Sequence, residues 1–246
     1  MEIGRTRFKK EIVSEYIAPV RKSNKVIIIA SGAPGYPSKK QLMNIFSEQG
    51  FWVFMPRYRG TFESDGIFLE KSPHLDIEGV IDGVSEGFTD IWTGASMKIK
   101  NPKIYLVGGS FGGPAVLLNS KNPKVKKVLA LSSVIDWRVD SEVEPMDKLE
   151  DFMSDAFRNV YRMKKNSWTN LLNGKRYNPA TMREFIDPKK VMLMHVKDDE
   201  VVLPFPVISF AKEMGIPLKL LNKGGHMGSS LLLKPKYRKI ALEFFK

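Results

Sequence analysis

Apolar residues fall along the chain in short unbroken runs, separated by longer stretches where they recur every three or four positions. Val26-Ile27-Ile28-Ile29-Ala30 is one such run. Its β-branched content and lack of alternation predict a strand buried on both faces. Similar runs at 51–55, 104–107, 128–131, 191–195 and 218–221 predict five more strands. Residues 8–18 predict an N-terminal strand or hairpin. Helices are predicted between the runs. The first starts at a Ser38 cap and reaches about Gln49, where Gly50 stops it. A second covers 77–92, with Ile77, Val80, Ile81, Val84, Phe88 and Ile91 on one face. Others run from the Gly-rich turn after Val107 to about Asn119, over 205–214 and over 237–245. This alternation predicts an α/β architecture, a mostly parallel sheet with helices on both faces.

One stretch breaks the rhythm. Roughly 60 residues separate the strand at 128–131 from that at 191–195, too many for a simple crossover. Within them Phe152, Met153, Phe157, Val160, Tyr161 and Met163 fall near helical spacing, followed by Trp168, Leu171 and Leu172. Residues 140–187 are therefore expected to form a helical cap or lid. It would be inserted into a core built from residues 1–139 and 188–246.

Composition narrows the chemistry. At 246 residues, 43% hydrophobic and 27% charged, the chain can bury one large core. It has no cysteine, which removes disulfides, thiolate metal sites and cysteine nucleophiles. The three histidines are His74, His195 and His226, too few for a multi-histidine metal centre. The net charge of +12 invites a polyanion partner. The basic residues are spread out, however, and no nucleic-acid-binding motif accompanies them, so a solvated basic surface is expected and no nucleic-acid function. No apolar run approaches the roughly 20 residues of a membrane span. The first residues, MEIGRTRFKKEIVSEY, lack an apolar leader core, so the cytoplasm is the expected location.

Gly108-Gly109-Ser110-Phe111-Gly112-Gly113 lies between a predicted strand and a predicted helix and satisfies the G-x-S-x-G pattern of a nucleophile elbow. Small residues on either side let strand and helix approach, and the Ser110 hydroxyl stands clear of the turn. A serine needs a base, and in this architecture the acid and then the histidine follow in the chain. The strand at 191–195 runs into Lys197-Asp198-Asp199-Glu200. Either aspartate can supply the acid; Asp199 is favoured, a short loop past the strand end. His226 lies in the Gly-rich loop after the last strand and is the expected general base. His195 precedes the acid and reads as a partly buried structural residue, and His74 as a surface loop residue. The Phe111 N–H is one candidate oxyanion donor. The Ala33 N–H, in the loop Ser31-Gly32-Ala33-Pro34-Gly35, is the second. Trp137, Phe157, Tyr161 and Trp168 form either an acyl-binding wall or the packing core of the cap. Arg138 could meet a substrate carboxylate or form a salt bridge.

These residues resemble the α/β-hydrolase superfamily over most of the chain. The segment Arg57-Tyr58-Arg59-Gly60-Thr61-Phe62-Glu63-Ser64-Asp65-Gly66 adds to the likeness. The elbow together with Ile135-Asp136-Trp137-Arg138 is similar to the catalytic domain of the prolyl oligopeptidase family. This chain has no room for that family's propeller, and Ser31 stands where a histidine is usual. The resemblance implies an α/β-hydrolase fold and a serine esterase or peptidase with no cofactor. A carboxylic-ester or thioester hydrolase acting on a small acyl substrate is the first reading, and a small-peptide or aminoacyl peptidase of prolyl oligopeptidase type is the second. A non-catalytic binding protein is the third, opposed by the complete Ser, Asp and His set.

Overall fold

The computed structural model describes residues 2–35 and 39–246. Eight strands form the main sheet: β1 (Gly4–Phe8), β2 (Ile12–Ile17), β3 (Lys25–Ala30), β4 (Phe51–Pro56) and then, past a small β5/β6 hairpin (Phe88–Thr89, Ser96–Met97), β7 (Lys103–Gly109), β8 (Val125–Leu131), β9 (Val191–Val196) and β10 (Leu218–Leu221). Their order is β1-β2-β4-β3-β7-β8-β9-β10. The six strands from β4 to β10 in that order are parallel, and only β2 runs against them, pairing antiparallel with β1 on one side and β4 on the other. The helices are α1 (Lys40–Glu48), α2 (His74–Glu86), α3 (Gly112–Leu117), α4 (Met146–Phe152), α5 (Pro204–Met214) and α6 (Pro235–Phe244).

The unbroken apolar runs are explained by two cores. In β3, Val26, Ile28 and Ala30 face a core shared with α2, α3 and α5, whereas Ile27 and Ile29 face another shared with α1 and α6. Every second side chain of β3 serves the opposite layer, so Val26 to Ala30 are apolar on both faces. Among the described residues no helix is long and apolar enough to cross a membrane.

Three expectations change. The second helix starts at His74 and ends at Glu86, capped by Gly87, so it does not reach Trp92. Phe88, at helical spacing from Val84, belongs to β5 and packs its ring against Phe54 and Tyr16. Ile91 and Trp92 are exposed. The helix after the elbow stops at Leu117. Residues 140–187 are less helical than their spacing suggests. After α4 the chain continues in a π turn and short 3-10 turns. Tyr161 and Met163 instead form strand-like bridges with Thr61 and Phe68, because the 60–68 loop offers backbone partners there. The expected Ser38 cap lies outside the described residues.

His74 is also not a surface loop residue. It is buried at the start of α2, with Nδ1 2.8 Å from Ser72 Oγ. Burial lowers its pKa to about 4. Below about pH 6.5 the unfolded chain takes up a proton that the native imidazole refuses, so stability falls as pH drops from 6.5 toward 4. Two residues on, burial raises Asp76 to about 6 against the opposing pull of Arg59, which acts with the reverse sign over part of this range. The comparison must therefore be differential. Relative to His74→Gln, wild type is expected to lose about 2 kcal/mol more stability between pH 8 and pH 5, read from urea unfolding.

Candidate active site

β7 ends in Gly109, and Ser110 turns the chain into α3 with φ 54°, a conformation side-chain-bearing residues seldom adopt. The turn is pinned by Ser110 N–H donating to Leu131 O at 3.0 Å and Gly113 N–H donating to Ser110 O at 2.9 Å. A Cβ on Gly112 would overlap the carbonyl oxygens of Ala30 and Ser31, so glycine there is what lets α3 lie against β3. On the other side, Gly109 is crossed by the backbone of Gly228 and Ser229. That crossing carries the His226 loop onto the Ser110 turn, and a Cβ on Gly228 would lie 3.8 Å from Ser110 N.

The structure brings Asp199 and His226 together. Asp199 follows β9 and is 1% exposed. His226 Nδ1 lies 2.9 Å from its Oδ2 and 3.1 Å from its Oδ1. A carboxylate only accepts, so Nδ1 carries the proton and Nε2 is left as the basic nitrogen. Burial pushes the Asp199 pKa up. The hydrogen bond and charge of His226, with the Val202 N–H, outweigh this and hold it below the usual value. Asp198 has a different place: its Oδ1 accepts from Gly224 N–H and Gly225 N–H, both at 2.9 Å, and so holds the loop that presents His226.

His195 is fully buried beside this pair. Its Nε2 donates to Val202 O at 2.9 Å and lies 3.9 Å from Asp199 Oδ2. Burial lowers its pKa, against the pull of Asp199. It supports the acid loop from behind.

The loop carrying Ala33 lies over the nucleophile. A Cβ on Gly32 would sit 3.5 Å from Ser110 Cβ and 3.9 Å from its Oγ. Tyr58 Oη donates to Ser31 O at 2.8 Å and Tyr177 Oη to Phe111 O, so two buried tyrosines tie down the loop that leads into Ala33 and the turn that holds Phe111. No sequence signal singled these tyrosines out, since their partners are backbone atoms remote in the chain.

Ser110 lies in the lining of a cavity of about 630 Å³, counting its open mouth. Ala33, Phe111, Trp137 and Trp168 share that lining with Val134, Met146, Leu149, Leu203 and Val207. Trp168 stacks on Phe111 with ring centres 5.1 Å apart. Phe157 and Tyr161 lie elsewhere. Their rings pack on each other at 5.5 Å, and the Tyr161 hydroxyl accepts from Gly35 N–H at 3.2 Å, beside a separate small crevice. Arg138 is engaged by Asp136, at 2.6 Å through Nη2, and is not in the cavity wall. Among the described residues no group of three or more His, Cys, Asp or Glu side chains is placed to hold a metal ion.

No protein-family model matches the sequence, and neither does any curated protein. Solved structures do match. An acylaminoacyl peptidase of Pyrococcus horikoshii is 19% identical with a TM-score of 0.67, over 99% of this chain and 41% of its own. This chain thus spans well under half of that peptidase. Est1E of Butyrivibrio proteoclasticus, in a structure with ferulic acid bound, is 19% identical with a TM-score of 0.64, over 90% of each chain. The α/β hydrolase GrgF of a Penicillium species is 13% identical with a TM-score of 0.72, over 100% of this chain and 97% of its own. The chain has the α/β-hydrolase fold.

Proposed function

We propose that this protein is a serine hydrolase that cleaves carboxylic esters or related acyl bonds through an acyl-enzyme. Ser110 attacks the carbonyl carbon while His226 Nε2 takes its proton. Asp199 holds the imidazole in the Nδ1–H tautomer and stabilises the imidazolium. The Phe111 and Ala33 N–H groups receive the charge that develops on the carbonyl oxygen. His226 then returns the proton to the leaving group, and water, activated by the same imidazole, releases the acid. Residues 140–187 act as a cap on a core of 1–139 and 188–246, and with Trp137 they supply much of the acyl wall through Met146, Leu149 and Trp168.

One observation carries this reading: a buried Asp199 paired with a half-buried His226 whose loop packs against a strained Ser110 turn, beside an apolar cavity. A binding protein has no need of that arrangement. Tyr161 and Phe157 support the cap from outside the acyl wall.

The test compares initial rates on p-nitrophenyl esters of increasing chain length with rates on aminoacyl p-nitroanilides, together with labelling by a fluorophosphonate. Ester turnover with a single adduct on the peptide containing Ser110 is expected, with the fastest ester marking the depth of the cavity. Anilide cleavage at comparable rates would make the protein a peptidase. Turnover of neither class, with no adduct, would sink the hydrolase reading.

A further inference from the structure

Glu144 stands apart from the other acids in the wall of the Ser110 cavity. Asp136 is paired with Arg138, and Asp140 accepts from the N–H groups of Ser141 at 2.9 Å and Met146 at 3.2 Å. The Glu144 carboxylate, half-buried in the same wall, has no hydrogen bond or ion pair among the described residues. Among the described residues no lysine or arginine lines this cavity, although the chain holds 39 Lys+Arg against 27 Asp+Glu. The cavity thus has the opposite sign to the molecule around it.

The position of Glu144 is built. Its N–H donates to Ser141 Oγ at 3.3 Å, and that hydroxyl donates to Glu200 O at 2.7 Å, tying this loop to the one that carries Asp199. Burial raises the Glu144 pKa and the charge of His226 opposes the rise, so the carboxylate lies within electrostatic reach of the imidazole.

We propose that Glu144 is a specificity-determining residue that makes the cavity prefer acyl groups bearing a protonated amine, as in amino-acid esters, over neutral acyl groups of the same shape. The inference rests on the serine-hydrolase reading of the site. An unpaired anion between apolar walls is costly to leave partly desolvated. An ammonium group brought beside it recovers Coulomb energy in a medium less screening than water. A carboxylate-bearing acyl group meets repulsion at the same point.

The experiment measures kcat/KM at pH 6.5 for the ethyl esters of leucine and of 4-methylpentanoic acid, which differ only in the amine. Wild type, Glu144→Gln and Glu144→Asp are compared, with thermal melts to verify folding. The ratio of the two rates is the readout, because any action of Glu144 on His226 affects both esters alike and cancels. In wild type the ratio should favour leucine. It should fall about tenfold or more in Glu144→Gln and be partly kept in Glu144→Asp. A ratio unchanged in Glu144→Gln, with both esters turned over, overturns the proposal and leaves the hydrolase reading standing. If wild type turns over neither ester, the hydrolase reading has failed on these substrates. Calorimetry of isopentylamine against isopentanol then decides the anion site on its own. Amine binding lost in Glu144→Gln supports it, and equal binding in the two proteins overturns it.

Discussion

Ser110→Ala is expected to lower kcat/KM on the best p-nitrophenyl ester on the order of 10⁵-fold, leaving a residue of catalysis from the oxyanion donors and the apolar cavity. The loss should fall on kcat more than on KM, because the hydroxyl reacts and contributes little to holding the acyl chain. A companion substitution makes the structural side of the claim testable. Ser110 holds φ 54°, where alanine is as strained as serine and glycine is not. Ser110→Gly should therefore be as inactive as Ser110→Ala but more stable than it by about 1 kcal/mol, seen as roughly 2–4 °C in Tm for a chain of this size. Equal melting temperatures for the two variants would show that the turn stores no strain. Retained ester turnover in both would remove Ser110 from the reaction.

Asp199→Asn is expected to cost about 10⁴-fold in kcat while the fold persists. An asparagine oxygen can still accept from the Val202 N–H, which lies 2.9 Å from Asp199 Oδ1. That places the amide NH₂ toward His226 Nδ1, where two donors would meet. The ring resolves the conflict by moving its proton to Nε2, and in that tautomer it cannot accept a proton from Ser110. The charge that stabilises the imidazolium is lost as well. The proton resonance of the imidazole and the steady-state rate check this together: the rate should collapse while the Nε2–H tautomer appears. A loss below about tenfold would contradict the assignment of Asp199 as the orienting acid and return the question to Asp198.

The elbow and the expected triad order could be read from the chain because each rests on local chemistry. The Ser110 turn demands small neighbours within two residues, and Asp199 and His226 each sit in a loop directly after a strand that its β-branched or apolar run announces. The strand positions were legible for the same reason, since a strand buried on both faces leaves a short apolar run whose length and β-branched content set it apart from a buried helix. Periodicity misled where apolar residues serve partners outside their own element. Phe88 continues the helical spacing of α2 yet packs in an aromatic cluster with Tyr16 and Phe54, and Tyr161 and Met163 pair with the 60–68 loop.

By itself, then, the sequence determined the α/β alternation, the strained serine turn and the candidate acid and base, all features whose cause lies within a few residues. Only the tertiary structure decided the rest. It divided the labour between Asp198 and Asp199, placed Trp137 and Trp168 in the wall of the Ser110 cavity but Phe157 and Tyr161 outside it, and engaged Arg138 with Asp136 while leaving the charge of Glu144 unbalanced. Each of these outcomes turns on which groups from distant segments come within hydrogen-bond reach. A side chain's local sequence is the same whether its partner arrives or not, so that information exists only once the sheet has brought the loops together.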